Sequence, residues 1–399
     1  MMLLKSGGQP DVAQEDGETC LHLAARNGNK EIMRLLLNEN ANLQLMSNSG
    51  ETPLHVAAKC CNYEAAQMIV THMAQTLSPE EIRKYVNKRT NDGFTAVHYA
   101  AEITSEQLHF PGEDAKLMNL LIDYGGQVDL QSLSSNETAM HMAARSGNQA
   151  VLLAMVNKIG AGTVQIVQNK QSKVDSSRLT YLLLSYSSAI NYDPLQNGWS
   201  PLLEACSRGH TGVAQILLQH HARIDVFDDN GRTALHLAAL NGHLQLVHLL
   251  LQHKAFVNSK SKTGEAPLHL AAQNGHVRVV NVLVQDHGAS LEAITLDNQT
   301  ALHFSAKYGQ LVVSQTLLAL GANPNARDDK GQTPLHLAAE MKQNNRGVLT
   351  AIDHNGFTCA HIAAMKGSLA VVKELMMIDK AMVIQAKTKT LEVGLFHQL

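Results

Sequence analysis

Gly17-Glu18-Thr19-Cys20-Leu21-His22-Leu23-Ala24-Ala25 decides the fold, because the same phrase keeps returning along the chain. It recurs as Gly50-Glu51-Thr52-Pro53-Leu54-His55-Val56-Ala57-Ala58 and as Gly93-Phe94-Thr95-Ala96-Val97-His98-Tyr99-Ala100-Ala101. A degraded copy carries His141, and another, Gly198-Trp199-Ser200-Pro201-Leu202, has Leu203 in the histidine position. Clean copies follow with His236, His269, His303 and His336, and a last one carries His361. From His22 to His55 is 33 residues, as are the steps His236 to His269 and His303 to His336. Self-similarity at a fixed period marks a stacked architecture in which no single unit buries its own apolar face.

Each residue type in the phrase has a physical reason. The Asp/Asn-x-Gly lead-in, as in Asp229-Asn230-Gly231, supplies a positive-φ turn at a hairpin tip. Thr and Pro open a short helix, where the missing proline N–H costs nothing. The Ala-Ala pair permits close packing of this inner helix on its neighbours. Asn241-Gly242-His243 and Asn274-Gly275-His276 end it on a left-handed glycine. Val247 to Leu251 then places apolar residues on one face of an outer helix.

A period of 33 carrying Thr-Pro-Leu-His resembles the ankyrin family over nearly the whole chain. The resemblance implies an all-α solenoid of helix-turn-helix repeats with β-hairpin tips, interrupted by an insertion and one half-repeat. The expected organisation is a tail of a preceding repeat at 1–14, four repeats with two long loops at 15–173, and a non-repeat insertion at 174–196. Repeats resume at 197–340, the last lacking its outer helix. An irregular linker (341–353), a final repeat with the start of another (354–392) and a non-repeat tail (393–399) complete it. The segments 174–196 and 393–399 both begin with valine, whose codons start with the GT of an intron donor, and both are read as intron sequence carried into a gene prediction. The two long loops lie at Leu77 to Ile82, expected to form a capped extra helix, and at Ile103 to Gly112.

Composition narrows the function. A formal net charge of -3 offers no electrostatic case for nucleic acid. The five cysteines are scattered and odd in number, which fits reduced thiols in the cytosol. No apolar run reaches the roughly 18 residues of a membrane span, so no membrane insertion by this segment is expected and the chain reads as cytoplasmic. Of 21 histidines, nine (His22, His55, His98, His141, His236, His269, His303, His336 and His361) each sit in a different repeat. They are read as structural groups bonded to threonine and backbone, since zinc needs three or four close ligands. His220-His221 reads as a solvated helix end and Cys60-Cys61 as packing, because no base is organised around the thiols. No catalytic residue, cofactor site or metal site is expected.

The non-consensus stretches carry a narrower resemblance. Thr71 to Asn87, Glu113-Asp114-Ala115-Lys116, Asn197 to Cys206 and Ile352 to His361 together resemble the ankyrin region of the TRPN, or no-mechanoreceptor-potential-C, mechanosensory channels. That resemblance implies a homotetrameric parent cation channel in the plasma membrane, with this region cytoplasmic, acting as a force-bearing tether attached to microtubules or other cytoskeleton. The alternative is a soluble adaptor gripping a protein through its concave face and hairpin tips. Under both, candidate contacts are the tip residues Asp228, Asp229, Arg232, Lys260, Lys262, Asp328, Asp329 and Lys330, and the inner-helix positions Arg26, Lys59, Arg145, Gln273 and Lys307. An ankyrin-bearing acyltransferase is a distant third, because its Asp-His-His-Cys motif is absent.

Overall fold

A computed structural model describes residues 8–104, 112–168, 190–191 and 199–340, with the backbone alone at 159–168 and 339–340. Every regular element among them is helical, apart from two isolated β-bridges, Ala13 with Thr19 and Phe227 with Thr233. The expectations for the half-repeat after Glu340, for His361, for the tail at 393–399 and for most of 174–196 lie outside the described residues. The chain divides into two compact units, Met1–Arg223 and Ile224–Leu399.

In the first unit, inner and outer helices alternate. They are α1 (Cys20–Asn27) and α2 (Lys30–Asn38), then α3 (Pro53–Lys59) and α4 (Tyr63–Thr76), followed by the extra helix α5 (Pro79–Val86). Next come α6 (Ala96–Glu102) and α7 (Glu113–Asp123), α8 (Ala139–Ser146) and α9 (Gln149–Gln168), and α10 (Pro201–Arg208) and α11 (Thr211–Gln219). The second unit holds α12 (Ala234–Leu240) and α13 (Leu244–Gln252), α14 (Pro267–Gln273) and α15 (Val277–Asn281), α16 (Ala301–Lys307) and α17 (Leu311–Ala319), and the inner helix α18 (Pro334–Glu340). Successive inner helices pack on one another, and the alanine pairs at 57–58, 100–101, 143–144, 238–239 and 271–272 are fully buried between them. Apolar stripes such as Leu246, Val247 and Leu250 close each outer helix onto its partner.

Hairpins are linked tip to tip by backbone bonds: Asn48 N–H donates to the Asp16 carbonyl, Lys262 to Asn230 and Leu296 to Thr263, at 2.8 to 2.9 Å. The turn glycine has φ near +80° at Gly17, Gly50 and Gly93, whereas Asn136 and Asn298 fill the same slot in two repeats. Asparagine tolerates that conformation better than other side-chain-bearing residues.

Extra residues are handled in different ways. Ser78 caps α5 together with Glu81, and Ile82, Tyr85 and Val86 are buried beneath it. The Tyr85 hydroxyl donates to the Leu43 carbonyl at 2.9 Å, so the extra helix is anchored to the preceding repeat. Residues on either side of 174–196 stack as direct neighbours: α8 packs on α10, and His141 Nε2 donates to the Trp199 carbonyl at 3.2 Å. Within that segment, Ile190 is buried, and Asn191 Oδ1 accepts from Arg223 N–H at 2.7 Å. Asn258 plays the same part for Ser290. These two residues therefore occupy positions of a regular repeat, although the sequence placed them in the insertion.

A single added residue shows the mechanism most clearly. One residue more separates Gly275 from Ala289 than separates Gly242 from Ala255. The excess is taken up by a π-helical turn at Val282–Asp286 directly after α15. Ala289 N–H accordingly reaches back to Leu283, whereas Ala255 reaches Leu250, one residue nearer in sequence. Deleting Asp286 is expected to convert the turn to α-helix while keeping helical circular dichroism and a melting temperature equal to or a few degrees above the parent's. Loss of cooperative melting would show that the turn is required rather than absorbed.

Candidate interaction surface

The repeat histidines set the spacing on which any surface depends. Thr19 N–H donates to His22 Nδ1 at 3.1 Å, and the Thr19 hydroxyl lies 2.9 Å from the same nitrogen. Because Nδ1 accepts, the proton is on Nε2, which donates to the carbonyl of Glu51 in the next repeat at 3.0 Å. The pattern repeats with His55 to Lys88, His236 to Glu265, His269 to Gln299 and His303 to Gln332, at 2.9 to 3.1 Å. His336 is likewise bonded to Thr333 through Nδ1. Burial pushes the imidazoles of His55, His98, His236 and His269 down to about 4, and lowers those of His22 and His303 as well.

His98 departs from the pattern. Its Nε2 is buried and makes no well-formed hydrogen bond, only a weak approach to the Leu130 carbonyl. The next hairpin is one residue longer, Ser132 N–H bonding to the Glu137 carbonyl where Ser47 bonds to Glu51 and Asp228 to Arg232.

A second set of bonds was not foreseen from sequence. The residue after the helix-ending position is an amide or imidazole in most repeats: Asn29, Asn62, Asn148, His210, His243, His276 and Gln310. Asn62 caps the Ala25 carbonyl at 2.9 Å, His210 that of Arg145 at 3.0 Å, His276 that of Leu240 at 3.0 Å and Gln310 that of Gln273 at 2.9 Å. A Cβ on Gly242 would stand 2.4 Å from His276 Nδ1, which with its φ of +72° makes glycine necessary there. The signal, a donor side chain at one slot, is visible in the aligned repeats.

The predicted contact residues divide into three groups. On the inner helices of the first unit, Arg26 pairs with Glu18, Lys59 with Glu51 at 2.8 Å, and Arg145 with Glu137 and, at 3.3 Å, with Glu204. Glu51 is buried, which would raise its pKa, but the bonds from Lys59 and Tyr99 hold it below the usual carboxylate range. These basic groups are thus half-exposed and already partnered. In the second unit, Gln273 is half-buried and Lys307 lies over the Tyr308 ring, 5.6 Å from its centroid. At the tips, Asp229, Lys260, Lys262, Asp329 and Lys330 are exposed, Lys260 Nζ reaching the Ile294 carbonyl at 3.1 Å.

Asp228 and Asp328 are a correction: each is only 4% exposed. Their carboxylates accept turn N–H groups, from Asn230 and Arg232 in one hairpin and from Lys330 and Gln332 in the other, and Arg232 is held by Asp228 at 2.8 Å. They build the hairpins and present nothing to a partner. Apolar tip residues escaped sequence reasoning: Phe227, Phe256, Ile294 and Leu296 are well exposed in the second unit.

Among the described residues no group of three or more His, Cys, Asp or Glu is gathered to hold a metal ion. Burial pushes the Cys61 thiol up to about 12, so it is protonated at neutral pH and a poor nucleophile. No described helix is long and apolar enough to cross a membrane.

A family model described as Ankyrin repeats matches residues 1–80, 171–261, 256–328 and 317–387. The chain belongs to the ankyrin-repeat family. Human transient receptor potential cation channel subfamily A member 1 is similar at 27% identity over 91% of this chain and 33% of its own length. Mouse NF-kappa-B inhibitor alpha is 37% identical over 19% of this chain and 29% of its own length, and the Arabidopsis thaliana E3 ubiquitin-protein ligase KEG is 30% identical over 59% and 12%. The chain thus spans a third or less of these relatives. The ankyrin repeat is a non-catalytic, protein-interaction fold, and the likeness to a TRP channel extends through most of this stack.

Two predictions follow from the histidines. The four most depressed imidazoles have folded pKa values near 4 against about 6.5 unfolded. Their stabilisation is complete above pH 6.5 and is lost as pH falls toward 4. Each is expected to cost roughly 2 kcal/mol by pH 5, so urea midpoints measured from pH 7 to 4.5 should fall steeply. A flat profile would contradict neutral burial. Replacing His55 by Leu is expected to destabilise by about 2–4 kcal/mol, and replacing His98 by less, since its Nε2 makes no well-formed bond to lose. Amide exchange across α3 and α6 reads both, and equal losses would refute the difference.

Proposed function

We propose that this chain is a non-catalytic length of a TRPN-like mechanosensory cation channel, serving as a force-bearing tether and a scaffold for protein partners. The observation that carries the reading is the channel match, which follows 91% of the chain at 27% identity instead of stopping at a few consensus repeats. On this reading the parent is a homotetramer in the plasma membrane, this region is cytoplasmic, and the far end attaches to microtubules or other cytoskeleton. The segments 174–196, 341–353 and 393–399 are read as interruptions of a stack that is otherwise regular, with Ile190 and Asn191 already in repeat positions. The hairpin tips and inner-helix positions left exposed are the contact surface.

The physical support is the way the repeats are joined. Most joints rest on a tip-to-tip backbone bond, a histidine bridge and one capping amide or imidazole, every one worth about 1 kcal/mol net. Many weak joints in series distribute an extension, and each repeat contributes a similar small barrier.

The second reading, a soluble adaptor, is favoured by the local match to NF-kappa-B inhibitor alpha, a protein named for inhibiting another. Pulling the whole chain from its ends in an optical trap separates the two. A tether is expected to extend in steps of roughly 110 Å, one repeat at a time, and to refold on relaxation. A single all-or-none rupture without refolding would sink the tether reading and leave the adaptor.

A further inference from the structure

One position on the inner-helix face breaks the charge rule of its neighbours. In the first unit this row reads Arg26, Lys59, Glu102, Arg145 and Arg208. Each basic member is paired with a carboxylate of the hairpin or helix beside it: Glu18, Glu51, Glu137 or Glu204. Glu102 reverses the sign. The hairpin acid that would stand opposite is replaced by Phe94, and Glu102 is exposed with no ion pair or hydrogen bond among the described residues.

Beside it lies a cavity of about 330 Å³ lined by Lys59, Tyr99, Glu102, Ile103 and Thr104. Tyr99 is the aromatic member of that lining, and outside it the Phe94 ring lies 5.7 Å from the Tyr99 ring by centroid. The Tyr99 hydroxyl is committed to Glu51 at 2.9 Å, and Lys59 is held by the same carboxylate while lying 5.2 Å from the Tyr99 ring centroid. Glu51 cancels Lys59, so the wall carries one uncompensated negative charge, on Glu102.

We infer that this cavity is a docking pocket for a single arginine side chain on an extended segment of a protein partner. A guanidinium is planar and weakly hydrated, so it stacks on an aromatic ring and can still present a fork to a carboxylate. The cavity is too small for a globular surface and suits one long side chain. The inference rests on the reading of the chain as a protein-interaction scaffold and names one site on it.

The test uses the full chain labelled with ¹³C at isoleucine δ1 methyls, because Ile103 lines the pocket. The probe is the tripeptide acetyl-Leu-Arg-Leu-amide, with its citrulline counterpart as a neutral isostere. The arginine peptide is expected to shift the Ile103 methyl saturably, with binding at least tenfold weaker for citrulline and for Glu102→Gln. Unchanged methyl positions elsewhere in the Glu102→Gln chain establish that it is folded. An unmoved Ile103 methyl, equal binding of the citrulline peptide, or full binding by Glu102→Gln would each overturn the pocket. Shifts confined to Ile224 or Ile294 would overturn it too, while leaving the scaffold reading intact with its contacts at the hairpin tips.

Discussion

A neutral imidazole with one nitrogen accepting and the other donating is the interaction on which the stack depends. Nδ1 must accept the threonine N–H that opens its own helix, which leaves the proton on Nε2 and directs it at a carbonyl of the next repeat. No other side chain offers an acceptor and a donor at opposite ends of a small rigid ring. Asparagine is too short, glutamine too flexible, and a charged group too costly to bury. The bond thus ties the start of one helix to the hairpin of its neighbour, and it sets the distance at which the alanine pairs meet. Leu203 shows what replaces it: in that repeat the buried Glu204, gripped by Arg145, Arg208 and Trp199, links back to the preceding helix.

The same bond explains which irregularities the architecture accepts. A residue added in the outer helix becomes a π-turn and leaves the His269 bridge at 3.1 Å, because it lies behind the inner helices. The His141 bridge to Trp199 is formed although 58 residues separate the two in sequence. A single extra residue in the hairpin after α7 is a different matter. It follows the place where the His98 bridge would form, and that nitrogen makes only a weak approach to the Leu130 carbonyl. Position relative to the bridge, not the length of the insert, decides the consequence.

The fold was legible because it is written in local chemistry repeated many times: turn glycine, cap, histidine, alanine pair. The candidate surface was legible only in part. Arg26, Lys59 and Arg145 could be placed on one face from their register, but their pairing with Glu18, Glu51 and Glu137 spans the turn between hairpin and helix, and no helical period announces it. Asp228 and Asp328 look like exposed charges in a polar turn. Only the folded hairpin shows their carboxylates turned inward onto N–H groups two and four residues on. The apolar tips were missed for the opposite reason: Phe227 and Ile294 read as core material until their exposure is seen.

In a repeat protein the consensus positions are consumed by stacking, so recognition falls to the positions that vary. Within the first unit those positions are mostly self-neutralised, every basic residue of the inner row being matched by a carboxylate already desolvated by the fold. Such pairs add little to an encounter, because a partner would have to displace an existing ion pair to use them. Glu102 is the place where the cancellation fails, and it fails beside the Tyr99 ring and open volume. The second unit solves the problem differently. Its inner row, Leu240, Gln273 and Lys307, carries little charge, while its hairpins expose Phe227, Ile294 and Leu296 among lysines and aspartates. On the proposed reading, a partner of the first unit would be selected by one charge in a pocket, and a partner of the second by apolar contact at the tips.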